Sequence, residues 1–251
     1  MSRIISLFNQ AGGVGKSTLT MNLGYHLSRR KRRVLLVDID PQASLTIFMG
    51  LVPNELQKTV SDSILEKDPL PIHKEIHGMD LVPSNILFSA AERQLLSIIR
   101  PETRLKIALD EITDEYDFIL IDSPPSLGML SILGLVAANY VLIPSQTQFK
   151  SVQGTDLVLN TIAEVRNATD HDLKLAGVVP NIFAKGTLQD KEALEFLENQ
   201  LSHITNVYPP VPRSTAFADA CKERLPLAVF SSGHKAVAIL DKIARELEKL
   251  P

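Results

Sequence analysis

The chain has 251 residues, 45% of them hydrophobic, which is enough apolar material for the core of one large α/β domain over residues 1–251. The formal net charge of −3 excludes a globally basic nucleic-acid binder, and the lone Cys221 excludes an internal disulfide or a cysteine cluster for zinc or iron–sulfur. The first residues lack a signal-peptide pattern and no apolar run is long enough to span a membrane, so we expect a cytoplasmic protein without membrane attachment.

Residues 3–18 predict a phosphate-binding loop between a strand and a helix. The apolar run 4–8 indicates a buried strand, three glycines follow at 12, 13 and 15, and a helix starts at Lys16. Glycines let backbone N–H groups surround phosphate oxygens, Lys16 adds a charge on the β- and γ-phosphates, and Ser17 has the position of a Mg²⁺ ligand. The alternative is a glycine-rich turn with an incidental lysine.

Leucines at 19, 23 and 27 predict a helix to about Arg30, followed by five consecutive cations at 29–33. Those cations have two interpretations, a solvated turn at a helix C-terminus or part of a polyanion surface. The apolar strand 34–37 then ends in the acids Asp38 and Asp40. Because the carboxyl ends of parallel strands meet at one edge of a sheet, these acids are expected beside the phosphate loop.

Residues 43–80 carry few signals, apart from a short helix predicted at 61–67. A short strand is expected at 79–84 and a helix over 88–112 interrupted near Pro101. His73 and His77 have helical spacing but lack a third ligand, so we do not assign a metal site to them.

The second half of the chain repeats the pattern of a strand followed by a helix. The strand ending at Asp122 places that carboxylate to hold Mg²⁺ through water. The remaining strands are predicted in the stretch 140–150, where a strand runs into a loop, and at 173–180. The remaining helices are predicted after residues 126–128, at 187–200, 215–222 and 236–250, and from Ser151. Strands alternating with helices predict a doubly wound, mostly parallel sheet flanked by helices.

The stretch Gln10-Ala11-Gly12-Gly13-Val14-Gly15-Lys16-Ser17-Thr18 lacks the first glycine of the general phosphate-loop motif and resembles the deviant Walker A loop of the ParA/MinD ATPases. Ala11 stands where that family has its signature lysine, which reaches the phosphates of a partner subunit. The resemblance assigns nucleotide binding to residues 11–18, orientation of the attacking water to Asp38 and Asp40, and adenine reading to Asn181. It also places Pro212 in a loop that flanks the base.

The resemblance implies an ATPase that uses ATP and Mg²⁺, forms a homodimer with ATP and binds nonspecific DNA of the nucleoid. A partner protein would stimulate its slow hydrolysis. The short chain without the signature lysine looks most like the McdA proteins, which distribute carboxysomes with an adaptor called McdB. Chromosome or plasmid partition with a ParB-like partner is the nearest alternative. A metabolic ATP-dependent enzyme and a nucleotide-binding scaffold without hydrolysis are alternatives from other classes.

Two further sets of residues carry predictions for this function. Lys150 lies at the end of the stretch 140–150, a predicted strand running into a loop, and could replace the missing signature lysine, or it could be a surface lysine that caps the helix beginning at Ser151. The candidate DNA contacts are Lys185, Arg213, Lys222, Arg224 and Lys235.

Overall fold

The fold is built on a sheet of the apolar strands. A computed structural model describes residues 2–169 and 171–251, with the backbone alone at 149–153. In these residues the sheet has seven strands: Arg3–Leu7 (β1), Val34–Asp38 (β2), His73–Ile76 (β3), Met79–Val82 (β4), Phe118–Asp122 (β5), Tyr140–Gln146 (β6) and Lys174–Asn181 (β7). Their order is β3-β4-β2-β5-β1-β6-β7, and only the β3–β4 pair is antiparallel. The predicted doubly wound, mostly parallel α/β sheet is confirmed.

Helices cover both faces of this sheet. They are Lys16–Arg29 (α1), Ser44–Phe48 (α2), Val60–Glu66 (α3), Phe88–Leu95 (α4), Arg104–Asp110 (α5), Met129–Ala137 (α6), Phe149–Thr169 (α7), Leu188–Leu201 (α8), Ala216–Lys222 (α9), Leu227–Phe230 (α10) and Lys235–Leu247 (α11). Successive strand residues point to opposite layers, so Leu35 belongs to the core layer covered by α3 to α8, while Leu36 belongs to the layer covered by α1, α2 and α9 to α11.

The strand register brings the carboxyl ends of β1, β2 and β5 together. Leu7 of β1 pairs with Asp122 of β5, and Asp38 of β2 pairs with the same Asp122. The loop after β1 therefore starts beside two carboxylates that are 84 residues apart in sequence. This edge of the sheet is the candidate site.

Most predicted elements are present with shifts of a few residues at their ends. The predicted helix 88–112 is divided into α4 and α5 by a segment that includes a 3-10 turn at Pro101–Thr103. Helix α2 and the antiparallel strand β3 were not predicted. Among the described residues, no helix has the length and apolar character of a membrane span, and no group of acids, histidines and cysteine could hold a metal ion by itself.

Candidate nucleotide-binding site

The loop after β1 has the backbone conformation that its glycines predict. Gly13 and Gly15 have φ angles of 74° and 88°, which disfavour residues with a Cβ. Gly15 is also the N-cap of α1, so the amides of the first helical turn point into the loop. A Cβ added at Gly15 would lie 2.3 Å from Nδ2 of Asn181, whereas one at Gly13 would meet nothing within 4 Å. The loop is therefore an open concave cradle of the kind that surrounds phosphate oxygens.

Lys16 is buried at the start of α1 and its ammonium is held by the loop itself. Its Nζ donates to the carbonyl oxygens of Asn9, at 3.0 Å, and Ala11, at 3.1 Å. Burial lowers the pKa of Lys16, and the nearby carboxylates of Asp122 and Asp40 partly oppose this effect. The cation is thus already inside the cradle, where an anionic ligand would relieve its desolvation.

Asp122 is a buried carboxylate whose hydrogen-bonding capacity is not satisfied. It is fully buried, and within the described part of the chain neither carboxylate oxygen has a hydrogen-bond partner of normal geometry. Burial and the nearby Asp38 raise its pKa well above the usual value, while the Ser17 hydroxyl and the Lys16 ammonium act in the opposite direction. A buried carboxylate without a hydrogen bond of normal geometry, next to a hydroxyl, is the hard-oxygen donor set that suits Mg²⁺ and its water ligands, so these residues fit the predicted ion.

Asp38 and Asp40 have different environments although one residue separates them. Asp38 is fully buried and accepts hydrogen bonds from the Asp40 amide at 3.0 Å, the Thr46 amide at 2.8 Å and the Thr46 hydroxyl at 2.7 Å. Burial raises the pKa of Asp38 to about 7, although the Thr46 hydrogen bonds lower it. Oδ1 of Asp40 accepts from the Gln42 amide at 2.9 Å. Asp38 therefore anchors the turn that carries Asp40, and Asp40 is the better placed of the two to meet a ligand.

A cleft of about 610 Å³ opens from the cradle along α1 and α9. Gly13, Gly15 and Thr18 form its inner end, and Phe48, Pro212, Phe217 and Cys221 are among its apolar walls. Its size and apolar lining suit a base and sugar next to the phosphates. Asn181 also lines it, but the amide nitrogen of Asn181 donates to the carbonyl of Val14 at 2.7 Å, which leaves its amide oxygen for an adenine edge.

The structure places the other predicted residues, namely Ala11, Lys150 and the five candidate DNA contacts, at different distances from the cradle. Ala11 lies half-buried at the mouth of the cradle, and its amide donates to Oδ1 of Asn9 at 2.9 Å. Lys150 belongs to the first turn of α7 by its backbone, and its side chain lies outside the described residues. The five candidate DNA contacts are all exposed, and three of them, Arg213, Lys222 and Arg224, line the rim of the cleft. The guanidinium of Arg224 also donates to the Gly50 carbonyl at 3.3 Å.

The cation run 29–33 matches neither of its two interpretations fully, because three of its arginines are held in ion pairs within the chain. Arg30 and Arg32 both pair with Glu248 after α11, and Arg33 pairs with Asp117 at 3.0 Å. These ion pairs join the end of α1 to the end of the chain and to β5. The run therefore serves mainly as a structural clamp.

Sequence reasoning missed residues that hold the site in place. Asn9 donates to the carbonyl of Pro144 at 2.7 Å, and Thr46 binds Asp38 as described above. Gln10 stands where the general motif has its first glycine, and its side chain contacts Thr161 of α7. The contacts of Asn9 and Gln10 span 135 and 151 residues, so no local pattern reveals them.

The fold and the site define a P-loop nucleotide-binding protein, and comparison with known proteins gives its family. Residues 2–175 match the AAA_31 family, an AAA domain. The sporulation initiation inhibitor protein Soj of Bacillus subtilis (strain 168) is 33% identical over 251 residues, which cover 98% of each chain. The chain therefore belongs to the AAA_31 family, among the ATPases of ParA/MinD type.

Two solved structures are also similar to this chain. Cobyrinic acid a,c-diamide synthase from Mycobacterium smegmatis with bound ADP and magnesium has a TM-score of 0.80 and 36% identity, covering 89% of this chain and 92% of that one. An ATP complex of a Cyanothece McdA variant has a TM-score of 0.90 over 100% of this chain and 98% of that one. Its identity is 21%, so the likeness concerns the fold alone. The predicted ParA/MinD family is confirmed, and the closer resemblance to McdA stays a prediction.

Proposed function

We propose that this chain is an ATPase that positions a cargo in the cell through cycles of ATP-dependent dimerisation and release. The observation that carries the proposal is the buried carboxylate of Asp122, which lacks a hydrogen bond of normal geometry and lies beside Ser17 and Lys16 at the base of a glycine cradle. Such a group is costly in the protein alone and is explained by a cationic ligand that binds there.

The site residues would divide the work of binding and hydrolysis. Residues 11–18 would bind the phosphates, Ser17 and Asp122 would hold Mg²⁺, and Pro212 and Asn181 would line the base. Mg²⁺, when bound, supplies positive charge that offsets the charge of the phosphate oxygens. Lys16 would stabilise the charge that develops on the transferred phosphoryl group, and Asp40, held by Asp38, would orient the attacking water.

The dimer would place two nucleotides in the seam between two copies of the chain. Because Ala11 cannot supply a cation to the partner's nucleotide, we propose that Lys150 does so from the start of α7. A lysine side chain has the length and flexibility for this role.

The ATP-bound dimer would bind nonspecific DNA and so associate with the nucleoid of the cytoplasm. Lys185, Arg213, Lys222, Arg224 and Lys235 are exposed, and none has an ion pair in the parts of the chain described here. Free exposed cations release counterions when they meet phosphates, so this binding would weaken steeply with salt.

Two observations bear on the identity of the cargo, and they favour different cargoes. The absence of a lysine at Ala11 favours carboxysomes and an McdB-like adaptor. The 33% identity to Soj, and 31% identity to the chromosome partitioning protein ParA of Myxococcus xanthus, favour a chromosome or plasmid with a ParB-like partner. In both cases a small partner protein would stimulate hydrolysis and release the dimer.

Sedimentation velocity with ATP, ADP or no nucleotide, combined with an assay of phosphate release, tests this function. We expect a dimer with ATP alone and slow turnover. Lys16→Ala should abolish turnover, and Lys150→Ala should abolish dimerisation or turnover while ATP still binds. Lys191→Ala changes an exposed lysine on α8 and is the matched control. A wild-type chain that neither binds nor hydrolyses ATP would contradict the proposal.

The metabolic alternative has one observation in its favour, the 36% identity to a protein named as a synthase. A metabolic ATP-dependent enzyme would turn over ATP at a rate that neither DNA nor a partner protein changes. Turnover unaffected by DNA or protein would therefore move the assignment to this alternative.

A further inference from the structure

Gln10 connects the phosphate loop to helix α7. Its Nε2 donates to Oγ1 of Thr161 at 3.0 Å, and Thr161 is only 3% exposed. The Thr161 hydroxyl in turn donates to the carbonyl of Leu157, one turn earlier in α7, at 2.9 Å. The bond to Leu157 thus fixes the orientation of the Thr161 hydroxyl, whose oxygen accepts the hydrogen bond from Gln10.

Gln10 lies in the part of the loop that binds the Lys16 ammonium. The ammonium donates to the carbonyls of Asn9 and Ala11, which flank Gln10 on either side. The side chain of Asn9 is held by Pro144 at the end of β6 and accepts from the Ala11 amide. The side chain of Asn9 and the amide of Ala11 thus have hydrogen bonds of their own. In the described part of the chain, Gln10 between them is held by its contact to Thr161.

We propose that Gln10 is a positioning residue that orders the phosphate loop for a nucleoside triphosphate by fixing it to α7. The inference rests on the proposed function, since the triphosphate is the ligand of that site. A loop already fixed in its binding conformation loses less entropy when it binds phosphate, so the contact raises affinity. Because α7 begins at Phe149, next to Lys150, the contact also ties the order of the loop to the helix that carries the proposed second cation.

The test uses the full chain and a matched pair of threonines on α7. Thr161 and Thr169 both donate to the carbonyl four residues earlier, but only Thr161 accepts from the loop. The variants are Gln10→Met, Thr161→Val, their combination, Thr161→Ser, which retains the hydroxyl, and Thr169→Val as the control. The readouts are the Kd for ATP with Mg²⁺ by calorimetry and the thermal unfolding temperature without nucleotide.

We expect Gln10→Met and Thr161→Val each to raise the Kd by about three- to tenfold, the worth of one hydrogen bond. The combined variant should bind no more weakly than either single one, because both remove the same contact. Thr161→Ser and Thr169→Val should bind like the wild type. A merely structural role would lower the unfolding temperature of Thr161→Val and Thr169→Val alike and leave both Kd values unchanged.

Unchanged affinity in Gln10→Met, or strictly additive losses in the combined variant, would overturn the inference while leaving the proposed function in place. A wild-type chain that does not bind ATP would overturn both. The two failures are therefore distinguishable in one series of titrations.

Discussion

The side-chain amide of Asn181 donates to the carbonyl of Val14 at 2.7 Å and so joins the end of β7 to the phosphate loop. Gly15 lies directly against this amide, at a distance that leaves no room for a Cβ. Asn181 is 5% exposed, so the contact is shielded from water. The loop is thus held by Asn181 on one side and by Asn9 and Gln10 on the other.

The first prediction concerns the role of Asn181. Asn181→Leu keeps the size of the side chain but removes the hydrogen bond, and we expect the affinity for ATP to fall about tenfold, consistent with the loss of a buried hydrogen bond. Since the amide nitrogen positions the loop and the amide oxygen is left for the adenine edge, the affinity for GTP should also fall, by a smaller factor than that for ATP. Titration of both nucleotides checks this, with Asn199→Leu on the exposed side of α8 as the control. A loss confined to ATP would instead show that the bond to Val14 does not position the loop.

The second prediction concerns pH and Asp122. Its pKa is raised in the folded chain, so the stability that depends on the neutral carboxyl is present at low pH and is lost as the pH rises through the raised value. Asp122→Asn cannot ionise. We expect it to raise the free energy of unfolding of the nucleotide-free protein by about 1–3 kcal/mol at pH 8, with a smaller gain at pH 5.

Urea denaturation at the two pH values measures this difference, and the same variant should lose the Mg²⁺ dependence of ATP binding. An equal effect at pH 5 and pH 8 would mean that the carboxyl of Asp122 does not titrate as its burial requires.

The third prediction concerns Thr46, which holds Asp38. Its hydroxyl donates to Asp38 at 2.7 Å and accepts from the Ser84 amide at 3.0 Å. Thr46→Val removes both hydrogen bonds and should lower the free energy of unfolding by about 1–3 kcal/mol. Because the pKa of Asp38 is about 7, the loss should be larger at pH 8, where the ionised carboxylate needs its donors.

Chemical denaturation at pH 5 and pH 8 tests the Thr46 prediction. Thr113→Val is the control, since its hydroxyl donates only to carbonyls of the α5 terminus. Equal losses for the two variants at both pH values would argue against a special role for the Asp38–Thr46 pair.

The fourth prediction concerns the clamp between α1 and the end of the chain. Glu248 pairs with Arg30 and Arg32, and its side chain is 11% exposed. Hydrogen bonding to these arginines outweighs burial and lowers its pKa. Glu248→Gln should cost about 1–2 kcal/mol of unfolding free energy, more than an isolated surface pair.

The control for the clamp is Glu246→Gln, whose partner Lys249 lies on the surface and which should change stability by less than about 0.5 kcal/mol. Thermal and urea unfolding of both variants gives the comparison. Indistinguishable stabilities would mean that the arginine run is solvated and makes no clamp.

Much of the sheet could be predicted because its strands are buried on both faces and read as continuous apolar runs. Strand β3 could not, because its charged residues Lys74 and Glu75 carry no apolar alternation and the strand exists only by pairing with β4. Helix α2 is five residues long, and its first turn is held by the carboxylate of Asp38 rather than by a local cap. Local propensity does not encode contacts of that kind.

The sequence was sufficient to predict which strand ends carry the site residues, but not which groups surround those residues. The sequence predicts that Asp38, Asp122 and the loop meet at one edge, and the register brings these strand ends together. It cannot predict that Asp38 is enclosed by donors while Asp122 lacks them, because that difference comes from α2 and Thr46. Similarly, the partner of Arg30 is 218 residues away in sequence.

The central claim is that nucleotide controls association with DNA, and equilibrium binding to nonspecific duplex DNA tests it most directly. Binding should be measured with ATP, ADP or no nucleotide, each at a low and a near-physiological salt concentration. The account predicts binding with ATP alone, with an affinity that falls steeply as salt rises. Equal binding in all three nucleotide states, or none in any, would contradict it.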